Sequence, residues 1–495
     1  MVRWEDLKER ATSILKELKG QKMGILGLSI IVVILIIGML APVLAPQTNG
    51  RHWSDITLWR NNPKRAAPVW YDHLTGEDLA PHKIVTKEPS SETESVGNTQ
   101  IVTLKYDYKN EYDRPPLDII LFLKGSYEGS KCNVNVYLER PDVEKLEEIR
   151  DENPGETLPK EVTLFNGKLG SNGTLDSRLS LVRSPEAKSH IYNFGYQWVT
   201  AAFDKDPNKT IPDINMIPEE TVFGEANKKM LSDPSVMKGE YTIRVEIVGE
   251  QIDIEYGEDA TKIIYAGQVY GLMGTDQYGR DIAKGWVWGA RYALILSLIV
   301  AVTTVVIGTF YGMTSAYFGG WVDEIMQRLN EVVIGIPILP ILIILMYVVN
   351  RSIWIMIFLM SILYWRGIAK TIRARGLQIR QSTYIEASES LGSSGGRVIT
   401  AHMIPQILPY SLAEAALLVP IVIITEASLS VLGLGDPTIV TWGKILSQAN
   451  TAGATVQGMW WWVILPGLGI TLVGFAFIAS GMAIERVVNP KMRQR

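Results

Sequence analysis

Tyr384-Ile385-Glu386-Ala387-Ser388-Glu389-Ser390-Leu391-Gly392, running on to His402-Met403-Ile404-Pro405 and Pro409, decides the architecture of this chain. The stretch is polar, yet it lies between two apolar runs, each long enough to cross a bilayer. Before it come Arg366, Lys370, Arg373, Arg375 and Arg380. Loops with an excess of Lys and Arg stay on the cytoplasmic side of a membrane, so the segment is expected to face the cytoplasm. Its helix formers Glu386, Ala387, Glu389 and Leu391 are interrupted at Gly392 and again at Gly395-Gly396. The pattern predicts a short helix, a turn using positive φ at a glycine, and a second short helix ending before Pro405. Lying across the inner ends of membrane helices, such a unit can transmit a push from a soluble partner.

A chain of 495 residues is too long for one compact domain. Residues 47–272 hold 26 Lys and Arg against 37 Asp and Glu, a net charge of −11, which leaves about +7 for the remainder of a chain totalling −4. A basic membrane part with an acidic insert fits short basic loops held inside and one large domain sent outside. The positive excess belongs to those loops, so no nucleic-acid partner is expected. Cys132 is the only cysteine, so the exported part must be held by its own core. His52, His73, His82, His190 and His402 are scattered without metal-ligand spacing, and no metal site is expected.

Residues 2–22 place Trp4, Leu7, Ala11, Ile14, Leu15 and Leu18 at helical spacing opposite Lys and Arg, predicting an amphipathic helix on the inner membrane surface. Residues 24–45 form the first apolar run of spanning length. The insert comes next. Alternating segments begin at Gln100, Leu117, Asn133, Glu161, Glu240 and Gln251. Their period of two and the Gly, Asn and Pro between them predict a mainly β, sandwich-like domain. Residues 184–238 are less regular and read as mixed helix and loop. Asn172-Gly-Thr and Asn208-Lys-Thr are glycosylation sequons, relevant where the source glycosylates exported proteins. Trp53, Trp59, Trp70, Tyr71, Tyr192, Tyr196 and Trp198 are candidates for core or for stacking on a partner or sugar. Five more spans are predicted at 292–317, 325–349, 353–372, 410–434 and 460–484.

Three motifs carry a resemblance. The segment Glu386-Ala387-Ser388, with Leu391-Gly392 and then His402 and Pro405, is similar to the ATPase-coupling loop of ABC importer permeases. Ser388 stands at a position usually Ala, and Arg397 where that loop is usually more apolar. Gly274-Thr275-Asp276-Gln277-Tyr278-Gly279-Arg280-Asp281 resembles the signature preceding the second helix of dipeptide/oligopeptide permeases. Its residues also suit a turn at Gly279 and a helix cap at Asp281. Glu426-Ala-Ser428-Leu-Ser430-Val-Leu-Gly433-Leu-Gly435 resembles a second family signature, with Val431 in place of Phe. The chain is thus identified as resembling type I, binding-protein-dependent ABC importer permeases of the dipeptide/oligopeptide/nickel class, of the C type, with a large extracytoplasmic insert. The resemblance covers the first span and everything from about Gly274 onward.

The resemblance implies six membrane helices around an inserted β domain. The divisions are an inner amphipathic helix 1–22, a span 23–46, the insert 47–272, an outer helix or turn 273–291, and a core 292–495 with its coupling loop at 376–409. Both termini would be cytoplasmic, in the cell membrane. Implied partners are a homologous second permease, two ABC ATPases, an extracytoplasmic solute-binding protein, and lipid. No Gly-x-x-x-x-Gly-Lys-Ser/Thr occurs in the chain, so ATP and Mg²⁺ would sit on the partner ATPases and no catalytic residue is assigned here. ATP closing the ATPases would swing the bundle from inward- to outward-facing.

Glu331, Glu414 and Glu426 lie in or beside apolar spans, where a carboxylate is costly. For Glu426, with Ser428, Ser430, Gly433 and Gly435, both a pathway role and a helix-locking bond stand open; for Glu414 the bond is preferred. The cargo reads as di- or oligopeptides, with oligosaccharides as the alternative. A membrane-anchored sensor or enzyme using the β domain is a second alternative, which leaves the Glu386 segment unexplained.

Overall fold

A computed structural model describes residues 21–46, 50–142, 159–203, 216–227 and 229–488. The predicted amphipathic helix, apart from its last residues, the Asn208 sequon, and Lys491, Arg493 and Arg495 lie outside them. In chain order the main elements are helix α1 (Lys22–Leu44); strands β1 (Lys83–Val85), β2 (Ser90–Val96), β3 (Thr99–Asn110), β4 (Asp118–Glu139), β5 (Val162–Leu169) and β6 (Thr174–Ser180); helix α2 (Pro185–Phe203); and strands β7 (Gly239–Ile254) and β8 (Lys262–Ala266). After these come helices α3 (Ile282–Phe318), α4 (Gly320–Ile334), α5 (Ile338–Val348), α6 (Ile353–Arg380), α7 (Thr383–Ser390), α8 (Ile404–Val431), α9 (Trp442–Thr451) and α10 (Trp460–Val488). The chain forms two compact units: Thr57–Asp281, and the residues before and after it.

In the helical unit, five helices among the described residues are long and apolar enough to cross a membrane: α1, α3, α6, the stretch Gly395–Val431, and α10. The expected span 325–349 is instead two helices, α4 and α5, bent by 75°. Pro337 causes the break, since its ring removes a backbone donor and its extended N-cap geometry (ψ 125°) ends one helix before the next begins. Arg366 Nη1 donates to two carbonyls at the break, those of Val333 and Ile336, the latter at 2.7 Å. A second correction concerns 273–291, expected as a separate outer helix or turn. Helix α3 instead runs unbroken from Ile282 for 37 residues. That is about 55 Å, well over a hydrocarbon thickness of ~30 Å. The glycines inside it serve packing: a Cβ at Gly285 would lie 2.6 Å from the Trp53 ring, and one at Gly289 would strike the Trp442 indole.

Glycines also let α1 lie close to its neighbours. A Cβ on Gly27 would sit 2.6 Å from the Ala476 carbonyl oxygen of α10, and one on Gly38 would sit 3.2 Å from Arg291 Cα of α3. Trp288 Nε1 donates to Ala45 O at 2.9 Å, closing the top of that seam.

In the β unit, eight strands form one sheet in the order β1-β8-β4-β7-β3-β2, with β5 and β6 also paired to β4. The mainly β expectation holds, but the sandwich-like one is corrected: the strands form one continuous hydrogen-bonded sheet folded over on itself, not two sheets. Register shows the folding. Tyr265 pairs opposite Ile119 near one end of β4, while Tyr108 pairs opposite Tyr241, beside the other end. A straight strand would hold those ends about 60 Å apart. Yet the Tyr108 and Tyr265 rings stack with centroids 4.3 Å apart. Bulges between Ser126 and Asn133 bend β4. The enclosed core holds Leu104, Leu121, Val136, Ile243 and Val245, closed on one side by Phe194 and Trp198 of α2.

Candidate functional site

Helix α7, with the turn that leads from it into α8, forms the site that the sequence singles out. Ile385 and Ser388 of α7 are buried, and Glu386 and Ala387 are exposed. The helix stops because Gly392 takes φ +83°. Gly392 N–H donates to Glu389 O at 2.8 Å and Ser393 N–H to Ser388 O at 3.1 Å. This paired pattern is a Schellman cap, and it favours glycine because a Cβ is strained at positive φ. It leaves Leu391 88% exposed, an apolar side chain at the tip of a polar segment. The same cap closes α8 at Gly433 (φ +79°) and α9 at Gly453 (φ +64°).

The predicted second short helix does not end before Pro405. A helical turn at Gly395–Arg397 leads into a wider π-helical turn, Val398–Met403, which continues into α8. Pro405, which has no N–H to give, lies in the first turn of α8 directly after the wider π turn. His402 and Pro405 are half-buried in this junction and Gly392 is exposed. Gly395 must stay small, because a Cβ there would lie 2.7 Å from the Tyr317 ring of α3.

Behind the segment the basic residues are engaged. Arg373 of α6 grips Asp323 of α4 through two nitrogens, Nε to Oδ1 at 2.6 Å. Asp323 also accepts from Ser315 of α3, whose hydroxyl takes Gln327 Nε2 at 2.9 Å. Three helices are therefore tied at one carboxylate. The Arg375 guanidinium lies 3.7 Å from the Tyr410 ring centroid, and Tyr410 donates to Glu414 at 2.7 Å. Glu331 is exposed and meets Arg328 at 3.2 Å.

Glu426 is buried, and its Oε1 accepts from Ser430 Oγ and from Thr441 Oγ1, each at 2.7 Å. Thr441 in turn caps α9, accepting from Lys444 N at 3.1 Å. The carboxylate thus bolts the end of α8 to the start of α9. Gly435 packs on Ser430, Gly433 forms the cap, and Ser428 donates to Ile424 O at 2.8 Å.

The 274–281 signature lies in the β unit and is knotted to residues 62–66. Thr275 Oγ1 donates to Pro63 O at 2.8 Å and accepts from Ala66 N at 2.9 Å. Asp276 takes Tyr278 N and Arg280 N at 2.8 and 2.9 Å, and Arg280 Nε at 2.5 Å. Asn62 Nδ2 donates to Gly279 O at 2.9 Å, with Gly279 at φ +80° and Gly274 at φ +72°. Asp281 is buried at the last position before α3.

A family model described as "Binding-protein-dependent transport system inner membrane component" matches residues 304–494. The dipeptide transport system permease protein DppC of Bacillus subtilis (strain 168) is 33% identical over 224 residues, 45% of this chain and 69% of that protein. The oligopeptide transport system permease protein OppC of the same organism is 34% identical over 224 residues, 45% of this chain and 72% of its own length. OppC of Haemophilus influenzae is 31% identical over 225 residues, 45% and 71%. The chain belongs to the ABC importer permeases of the dipeptide/oligopeptide family. These relatives are named as permeases, the membrane component of their systems, and this chain is a multi-pass membrane protein. The family model's match lies wholly within the helical unit, so the β unit has no counterpart in it.

Asp436-Pro437 and Trp442-Gly443 also resemble the outer loop of the family, but sequence reading gave Asp436 and Trp442 no structural role. Asp436 Oδ2 accepts from Ile353 N at 3.0 Å and so caps α6 from a distant loop. Trp442 fits a slot between Gly289 and Gly469 and donates to Trp286 O at 2.9 Å. Asp323 lies between two predicted spans and gave no signal of its partner Arg373, 50 residues on; the Trp442 slot gave none either, because its glycines are 180 residues apart.

Proposed function

We propose that this chain is the transmembrane subunit of an ATP-driven importer of di- or oligopeptides, pairing with a homologous permease, two ABC ATPases and an extracytoplasmic solute-binding protein. ATP and Mg²⁺ belong to the ATPases. The chain crosses the membrane six times, with α4 and α5 as one broken span, both termini in the cytoplasm and the β unit outside. One observation carries the reading. Helix α7 is anchored by Ile385 and Ser388 while Glu386, Ala387 and Leu391 stand out from it, and its rigid cap continues through a π turn into the spanning helix α8. A push on α7 would reach the bundle along one covalent, hydrogen-bonded path. The relatives' names, which specify dipeptide and oligopeptide transport, support the cargo class. Alternating access between the two permeases is the motion such a push would drive.

The test is ATP hydrolysis by the co-expressed complex in lipid nanodiscs, with the binding protein and a panel of peptides, then of oligosaccharides. Stimulation by peptides, abolished by Gly392→Pro and reduced by Glu386→Lys, supports the proposal. Proline locks φ near −65°, which the cap cannot accept. Stimulation by oligosaccharides alone would overturn the cargo, and no stimulation would overturn the importer. Replacing residues 47–272 by a short linker should leave assembly intact and lower uptake, if that unit guides binding protein or substrate; full uptake would refute that role.

A further inference from the structure

The β unit contains a cavity of about 660 Å³ that the transport mechanism does not use. Its size falls in the range of small-molecule sites, about 300–1,000 Å³. Five cations line it: Lys64, Arg65, Arg178, Arg183 and Lys188. Among the described residues two carboxylates do, Asp118 and Glu219, and both are committed. Asp118 accepts from Ser180 Oγ at 2.5 Å and from the Ile119 and Val182 amides at 2.9 and 3.1 Å. Glu219 is bound by Arg183. Lys64, Arg65 and Lys188 have no carboxylate partner among the described residues. The cavity lining is therefore positive inside a segment whose net charge is −11.

Two further features favour an anion. Ser184 lines the cavity and caps α2, accepting from Ala187 N at 3.1 Å, so the positive end of a 19-residue helix opens onto it. Arg65 holds φ +64°, a conformation that a non-glycine residue adopts at a cost. Its amide is fixed to Asp276 O at 2.9 Å, within the 274–281 knot. Met216 and Ile217 supply an apolar wall. We propose that this cavity binds a small anionic ligand by its carboxylate or phosphate oxyanion, with Arg65, Arg178 and Lys188 as the charged contacts. The concave shape favours a small molecule over an acidic protein surface. The proposal stands apart from the transport reading, because it concerns binding to this chain alone.

Titration calorimetry on the full chain in nanodiscs of zwitterionic lipid tests it, with the peptides Glu-Glu-Glu and Ala-Ala-Ala and with inorganic phosphate as probes. Glu-Glu-Glu should bind saturably at one site and Ala-Ala-Ala at least about tenfold more weakly. Phosphate that displaces Glu-Glu-Glu marks a site reading oxyanion charge; phosphate that does not marks one selecting carboxylates; either supports the proposal. Lys188→Gln and Arg65→Gly should each weaken binding about tenfold, while Lys168→Gln, on β5 and outside the lining, should not. Arg65→Gly separates the two roles of that residue, since it relieves the backbone and should hold or raise the unfolding temperature while affinity falls. Unchanged affinity in Arg65→Gly, equal loss in Lys168→Gln, or no saturable binding of either anion would overturn it.

Discussion

In the helical unit the closest approaches are made by glycine against rings and backbone: Gly27 on Ala476, Gly285 on Trp53, Gly289 and Gly469 on Trp442. In the β unit glycines also admit backbone, Gly125 beside Asp253 and Gly267 beside His82, but the core between the strands is filled by large side chains, with Leu104, Leu121, Val136 and Ile243 all fully buried. The solvent explains the contrast. Water drives aliphatic groups together in the β unit. Lipid gives helices no such drive, so close backbone approach and hydrogen bonds must hold them. Added atoms should therefore do most harm at the glycines where helices meet, and removed atoms most harm in the core of the β unit.

The strongest break of this contrast is Gly289→Leu. It fills the Trp442 slot, and loss of most of the monodisperse protein on size exclusion is expected; Val302→Ala, at a position 56% exposed, should leave the profile unchanged. Next, Leu121→Ala should cost the β unit about 3 kcal/mol, read as a lowered thermal midpoint with the helical unit's transition unmoved. A smaller effect comes from His82, whose ring meets Tyr270 edge-on at 5.4 Å. Burial pushes its imidazole from 6.5 down to about 4. The folded state thus binds fewer protons than the unfolded chain between those values. Stability should be flat above pH 6.5 and fall as pH drops toward 4, by roughly 2 kcal/mol for this half-buried ring. His82→Phe should flatten that slope in thermal scans of the full chain. The smallest effect is Glu426→Gln. A Gln carbonyl still accepts from Ser430 and Thr441, so stability should change by less than about 1 kcal/mol and peptide-stimulated ATP hydrolysis should persist; lost hydrolysis at full stability would return this residue to the pathway.

Most of the long apolar helices were legible, because an apolar run of spanning length has few other uses, but the break within 325–349 was not. The segments around Gln100, Leu117, Asn133, Glu161 and Glu240 all lie in strands. What sequence misread was punctuation. Gly125 and Gly129 suggested a turn between two strands, yet both lie within β4, where Gly125 lets the Asp253 backbone pass close. Gly249-Glu250-Gln251 likewise interrupts β7 without ending it, with Gln251 at φ +44°. A glycine that ends a strand and one that bulges it look alike until the partner is known. Asn172-Gly173 is the converse: its positive φ values, +51° and +76°, make the tight turn that the dipeptide signals, closed by the Ser171–Thr174 bridge between β5 and β6, at the sequon itself. Of the aromatics, Trp53, Trp59 and Trp198 are core, and Trp70 donates to Leu272 O at 2.8 Å. The Glu386 segment was legible as a site because it is short and local. The Asp323–Arg373 clamp and the cationic cavity were not, since both join residues distant in sequence.

The seam between α1, α3 and α10 bears on how the protein is made. About 240 residues separate the end of α1 from the start of α3, and α10 comes last. At 5–20 residues per second, α1 waits roughly 10–50 s after its own synthesis before its first packing partner emerges. During that interval Gly27 and Gly38 face lipid with no helix to receive them. The first helix must therefore hold its place in the bilayer alone, by apolar length, while a whole β unit is translated behind it.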